Sequence, residues 1–313
     1  MPSIFDPQVY APAGTFMGTP ASHDLSRARA CVLGVPFDGG IHPMRIGARQ
    51  GPSAIRENSA LVRPYQPPLW NFNPLERLGV VDLGNVNLVP SRVEHSFARI
   101  EEAVWRVVDQ GVVPVTMGGD GMISLPQMRA LHRKYRDLVV LHFDAHTDTY
   151  PGDGADRYTP ATTFTRAAEE GVVDTSRSIH IGARGTVMIP NVFEHTRGMG
   201  YELIDGIEMN ERGIPGLLKH IHQRMAGRPV YLCFDMDFFD PSVAPGVCTP
   251  TWGGISAREG FEIIRGLSGL NIVAFDLNTV SPPHDVGGMT AFLAGTVMME
   301  FMGLIAQGMQ IKA

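Results

Sequence analysis

Cysteine is scarce: Cys31, Cys233 and Cys248 are the only three in 313 residues and lie far apart. Neither a disulfide framework nor a paired-thiol zinc site can be built from them, and reduced, buried thiols are the expectation. A surplus of positive charge is also missing. Lys and Arg number 26 against 32 Asp and Glu, a formal net charge of −6 with no basic block, so the footprint of nucleic-acid or anionic-membrane binding is absent. The opening stretch MPSIFDPQVYAPAGTF has no charged region followed by an apolar one, and no run of about 18 apolar residues stands out elsewhere. Linker-like, repetitive and low-complexity tracts are lacking too. These absences predict a soluble cytoplasmic protein, one domain over 1–313 with an irregular segment at 1–25, whose partners are small molecules or other proteins.

What is present is alternation. Short β-branched runs, ACVLGVPF, LGVVDLG, VVPVTMGG, LVVLHFDAH, SIHIGAR, VYLCFDMD and NIVAFDLNTV, alternate with segments of helical period such as VEHSFARIEEAVWRVVDQG and AREGFEIIRGLSG. Near-continuous apolar strands separated by helices predict an α/β fold, a three-layer α/β/α sandwich on a mostly parallel sheet. Ser256 is placed to cap its helix. MTAFLAGTVMMEFMGLIAQG reads as a long helix apolar around much of its circumference, suited to a core or a subunit interface. The methionines of MMEFM read as packing, RKYR as a solvated helix end, and Trp70 as either a surface anchor or a local turn-packing residue.

Acidic residues gather where strands are expected to end: Asp144, His146 and Asp148 in HFDAHTD; Asp235, Asp237 and Asp240 in CFDMDFFDP; Asp276 and Asp285 in FDLNTVSPPHD. The carboxyl ends of parallel strands open into the crevice where ligands bind. Residues two apart in a strand share a face, so Asp144, His146 and Asp148 are predicted to point together, as are Asp235 and Asp237. So many carboxylates in one cleft require a counter-charge, and mixed Asp and His donors suit Mn²⁺, Ni²⁺ or Fe²⁺. A single such aspartate could equally cap a helix or stabilise a turn.

Together with GVPFD at Gly34, GARQGPSAIRE near Gly47 and GGD at Gly118, the motifs DAHTD and DxDxxDP make the sequence resemble the ureohydrolases, the family of arginase and agmatinase. The agmatinase and guanidinobutyrase branch is the more similar. The resemblance implies an arginase-like sandwich assembled as trimers or hexamers, and cleavage of a guanidinium C–N bond by water activated between two divalent cations, manganese or nickel, with release of urea. Carried over, it makes Asp144 and Asp235 bridging ligands, assigns Asp148 to the first metal, and assigns His146 and Asp237 to the second.

Three positions depart from that pattern. The family's histidine ligand after GGD is Gly121 here, its proton-transfer histidine aligns with Pro160, and its guanidinium-binding glutamate aligns with Thr279. Glycine cannot coordinate, proline cannot shuttle a proton, and threonine offers no charge. The expectation is a catalytically degenerate ureohydrolase with no intact catalytic residue and at most one divalent metal. It would serve as the supporting subunit of a homologous catalytic chain, as in the two-subunit metformin hydrolases of that family. The alternative is an active amidinohydrolase with a single-metal site, for which His42 and His284 are candidate substitutes, although both also read as solvated loop histidines. A metal- or guanidine-sensing binding protein is a third reading.

Overall fold

The computed structural model describes residues 14–308 apart from 41, 43, 68 and 90. Eight strands form one sheet: β1 (Ala30–Val35), β2 (Val81–Asn85), β3 (Val113–Gly118), β4 (Val139–Phe143), β5 (Ile179–Ile181), β6 (Glu202–Ile204), β7 (Val230–Asp235) and β8 (Ile272–Asn278). Their order is β2-β1-β3-β8-β7-β4-β5-β6, and every pairing between them is parallel. Seven strands correspond to the runs read in the sequence. The eighth, β6, is bounded by charge, with Glu202 at its start and Asp205 just past its end, and leaves only Leu203 and Ile204 as an apolar signal.

Parallel strands need crossovers, and the connecting helices cover both faces. The helices are α1 (Gly51–Asn58), α2 (Pro74–Leu78), α3 (Val93–Asp109), α4 (Ser124–His132), α5 (Thr163–Glu169), α6 (Val192–Gly198), α7 (Gly206–Met225), α8 (Ala257–Gly266) and α9 (Met289–Gly308). Alternate strand residues serve opposite cores. Val139, Leu141 and Phe143 of β4 join the cluster that includes α1, α2, α7, α8 and α9, whereas Val140 joins the cluster with α3, α4 and α5. Both faces are therefore buried, which is why these strands read as unbroken apolar runs instead of alternating ones.

Local chemistry sets the helix ends. Ser256 accepts from the Glu259 amide at 3.3 Å while the Glu259 carboxylate accepts from the Ser256 amide at 2.8 Å, a reciprocal cap that fixes the start of α8. Asp285 accepts from the amides of Thr290 and Ala291 at 2.9 and 3.0 Å and secures the first turn of α9. Helix α9 has the length and hydropathy to cross a bilayer, contrary to the expectation that no such run exists. Yet 78% of that window is buried within the protein, so it is a core helix. Its Met298 and Met302 are buried, and Phe301 stacks on Phe275 of β8 with ring centroids 4.2 Å apart. Trp70 is no surface anchor: it is 5% exposed, donates to the Pro64 carbonyl at 3.0 Å and lies against Gly303. The three cysteines are free and buried, as expected.

Truncating Phe301 to Ala removes a fully enclosed ring from the interface of α9 and the sheet. Urea denaturation should show a loss of about 3–5 kcal/mol with an unchanged m-value.

Candidate metal centre

Because all strands run the same way, their carboxyl ends lie along one edge. Four strands adjacent in the sheet, β3, β8, β7 and β4, deliver residues to one cavity there. At the end of β3 the chain passes close to β1: a Cβ on Gly119 would fall 2.3 Å from the Phe37 carbonyl oxygen, so only glycine fits. Asp120 then accepts from the amides of Met122 at 3.1 Å and Gly39 at 2.5 Å, tying the turn to the loop after β1. Gly121 follows and lines the cavity with backbone alone.

The ligand candidates do not converge through strand alternation. Strand β4 stops at Phe143, and Asp144, His146 and Asp148 occupy the loop beyond it, where Asp148 adopts φ 49°. Asp235 ends β7, but Asp237 sits in a short 3₁₀ turn, Met236–Phe238. Loop geometry, stabilised by hydrogen bonds, brings the side chains together. Asp144 accepts from the His146 amide at 2.8 Å, and Asp237 accepts from the Ala145 amide at 3.2 Å.

All five candidates line the cavity. Ligand atoms of Asp144, His146 and Asp237 lie within 4.8 Å of one another, as do those of His142, Asp144, Asp148 and Asp235, so Asp144 belongs to both groups. The four aspartates are buried, and His146 is partly exposed. Its Nδ1 is 3.1 Å from Asp144 Oδ1 and 3.4 Å from Asp237 Oδ2, while its Nε2 faces the Thr251 hydroxyl at 3.3 Å.

Electrostatics distinguish the carboxylates. Burial opposes charge on Asp144, but hydrogen bonds from His142 and His146 outweigh it and hold this carboxyl well below the usual range. Burial and then the Asp144 charge push Asp148 well above that range; burial and then Asp237 and Asp144 do the same to Asp235. Asp237 is pushed up to about 7 by burial and by Asp144. Burial disfavours a charged His146, yet the facing Asp237 and Asp144 raise it well above its usual value. A cluster that holds protons at this density is one that a divalent cation would relieve.

The donor chemistry fits one ion readily: Asp144, His146 and Asp237. The other group has three carboxylates, but its only imidazole, His142, directs Nε2 at Asp144 Oδ2 from 3.1 Å. A Cβ at residue 121 would lie 3.1 Å from Asp148 Oδ2, beside that group, but glycine supplies no donor. Pro160 and Thr279 also line the cavity. Thr279, at φ 67°, donates its hydroxyl to Asp235 Oδ1 in a very short contact and accepts from the Met236 amide at 3.2 Å.

The remaining sequence candidates separate. His42 lies exposed on the cavity wall, whereas His284 is tied to Ser281 at 2.9 Å and the Met44 carbonyl at 3.1 Å and does not line the cavity. Asp240 binds the Gly253 and Gly254 amides, Asp285 caps α9, and Asp276 is buried among Ser124, Tyr231 and Thr116, so these three are structural. Sequence reasoning missed Arg45, which also lines the cavity and donates to the Val247 and Pro245 carbonyls. It missed Arg184 as well, which donates to the carbonyls of Asp237 and Thr251 at 2.8 Å and so braces the ligand loop. The available signal for Arg184 was its place just past β5, on the ligand-bearing edge.

The arginase family model matches residues 28–303. The chain belongs to the arginase family. Guanidinopropionase of Pseudomonas aeruginosa is 39% identical over 95% of this chain and 93% of its own length. Human mitochondrial guanidino acid hydrolase is 36% identical over 87% and 77%. The solved proclavaminate amidino hydrolase of Streptomyces clavuligerus superposes with a TM-score of 0.89 at 32% identity, covering 96% of this chain and 99% of that one. The eight-stranded parallel sheet of this arginase-family chain is thus the family fold, and its buried Asp and His cluster is a metal-binding constellation placed on it.

The raised carboxyls set a pH dependence for the metal-free protein. Asp120, lifted to about 7 chiefly by burial, and Asp237, also about 7, bind protons in the folded chain at pH values where the unfolded chain has released them. Their stabilising contribution is complete below the ordinary carboxylate range and is lost as pH rises through about 7. In EDTA, Tm should fall between about pH 6 and about pH 8, and Mn²⁺ should raise it most at the higher value. A flat or rising Tm in EDTA contradicts this.

Proposed function

We propose that this chain is a non-catalytic arginase-family subunit that assembles in the cytoplasm with a homologous catalytic chain, as a trimer or hexamer. In that role it supports hydrolysis of a guanidino compound to urea, in the manner of metformin-hydrolase pairs. The observation that carries the reading is the incomplete ligand group beside Gly121. Asp144, Asp148 and Asp235 face a backbone position where the resemblance calls for an imidazole, and His142 is turned to Asp144 instead. Two further features support it. Pro160 gives the cavity no proton carrier, and the Thr279 hydroxyl is spent on Asp235, leaving no anion there to meet a guanidinium group.

Mn²⁺ or Ni²⁺ held by Asp144, His146 and Asp237 would supply Lewis-acid polarisation and a local positive charge. The chain's own residues would do the rest of what remains. His146 presents Nδ1 between two carboxylates, Asp144 spans both donor groups, and Arg184 braces the Asp237 loop through its carbonyls. In this subunit such an ion would neutralise the acidic cluster and stabilise the loops after β4 and β7.

A second reading, an active single-ion amidinohydrolase, is favoured by the compactness of the Asp144, His146 and Asp237 group and by the likeness to guanidinopropionase. Assays on the lone chain separate the two. Loaded with Mn²⁺ or Ni²⁺ and given guanidinopropionate, guanidinobutyrate or agmatine, it should release no urea, while the chain co-expressed with an active homologue should form a mixed oligomer that does. Turnover by the lone chain would establish the second reading.

Gly121→His tests the ligand deficit directly. Elemental analysis should find about one more Mn²⁺ per chain than in the parent, since only an imidazole has been added to a group already rich in carboxylates. The added Cβ needs only a small shift of the Asp148 side chain, 3.1 Å away. An unchanged metal content would show that Gly121 is not the limiting position.

A further inference from the structure

His142 of β4 and His180 of β5 are register partners across the sheet. Both are enclosed, at 1% and 0% exposure, with Phe164 packed against each ring and Tyr201 edge-on to His180. Their Nδ1 atoms are 2.8 Å apart with the rings nearly perpendicular, at 88°. On its other side His142 places Nε2 3.1 Å from Asp144 Oδ2. Neither histidine belongs to the ligand set carried over from the family.

Hydrogen-bond accounting fixes the protons. Two ring nitrogens in contact share one hydrogen. His142 Nε2 faces a carboxylate oxygen at 3.1 Å, the place for its hydrogen, which leaves its Nδ1 bare. The shared hydrogen therefore belongs to His180 Nδ1, which leaves His180 Nε2 a bare nitrogen. That atom has no hydrogen-bond partner among the described residues. The opposite assignment would set the His142 Nε2 lone pair against the carboxylate and bury an N–H on His180 with nothing to receive it, the rarer and costlier kind of orphan.

We infer that His180 is a positioning residue. By donating from Nδ1 it locks His142 in the tautomer that donates to Asp144, orients the one carboxylate shared by both ligand groups, and keeps His142 out of the ligand set. The same lock is why His142, although close enough to count as a donor, does not replace the imidazole missing at residue 121. The relay holds whether or not the chain turns over substrate and whatever number of ions it carries.

The test begins with metal-free protein labelled with ¹⁵N-histidine. Two-bond proton–nitrogen correlation should show His180 protonated on Nδ1 and bare on Nε2, with His142 the reverse. A His180 protonated on Nε2 overturns the assignment. Variants then test the consequence. His180→Phe keeps an enclosed ring but cannot donate, and should weaken Mn²⁺ binding about 10- to 100-fold, the usual effect of losing an outer-shell partner. His180→Gln, whose amide can donate to His142 Nδ1, should restore most of that loss. Equal Mn²⁺ affinity in the parent and the Phe variant overturns the positioning role. Should the parent bind no Mn²⁺ at all, the single-ion element of the functional reading falls, and the tautomers, read without metal, decide this inference by themselves.

Discussion

Burial of four carboxylates at one sheet edge, with their mutual repulsion second, is the constraint on which the polar structure of the cavity depends. Asp144, Asp148, Asp235 and Asp237 are brought to the edge of one sheet by β4 and β7, and each is almost withdrawn from water. Charge on such a group survives only where something answers it. Asp144 is answered by two imidazoles; the other three are driven toward their protonated forms. A divalent cation among them would offset the cost of burying their charge. Much of the surrounding polar structure, including Arg184 on the loop carbonyls, is what holds the carboxylates in place.

The scaffold is indifferent to the details of that chemistry. An all-parallel sheet with helices on both faces owes its stability to strand interiors and to α9, none of which reaches the cavity. Sequence can therefore change widely while the architecture stays intact, as the superposition with a solved amidino hydrolase at 32% identity and a TM-score of 0.89 illustrates. Scaffold and site occupy different places because the apolar cores lie between the sheet and its helices, whereas the cavity sits on one edge.

The strands with continuous apolar runs were legible in the sequence because both faces are buried, and the Ser256 cap was legible because its partner Glu259 lies three residues on. Strand β6 was not, since Glu202 and Asp205 leave only two apolar residues between them. The five ligand candidates line one cavity, but not for the geometric reason read in the sequence: alternation along a strand ends at Phe143, and the side chains meet through loop turns such as the left-handed Asp148. The length of α9 suited a membrane as well as a core, and only tertiary packing separates the two. His180 and Arg184 were hidden because their roles depend on which strand is adjacent, information that a parallel sheet's crossovers remove from local sequence.

Thr279 shows what that separation of scaffold and chemistry permits. Its amide donates to the Gly119 carbonyl at 2.8 Å, its carbonyl receives the Cys248 amide at 3.1 Å, and its left-handed backbone is unusual for a branched side chain. The main chain is thus stitched from both sides before the side chain is considered. The position behaves as a socket: the backbone is held independently of the side chain, and what that side chain presents to the acidic nest here is a hydroxyl on Asp235.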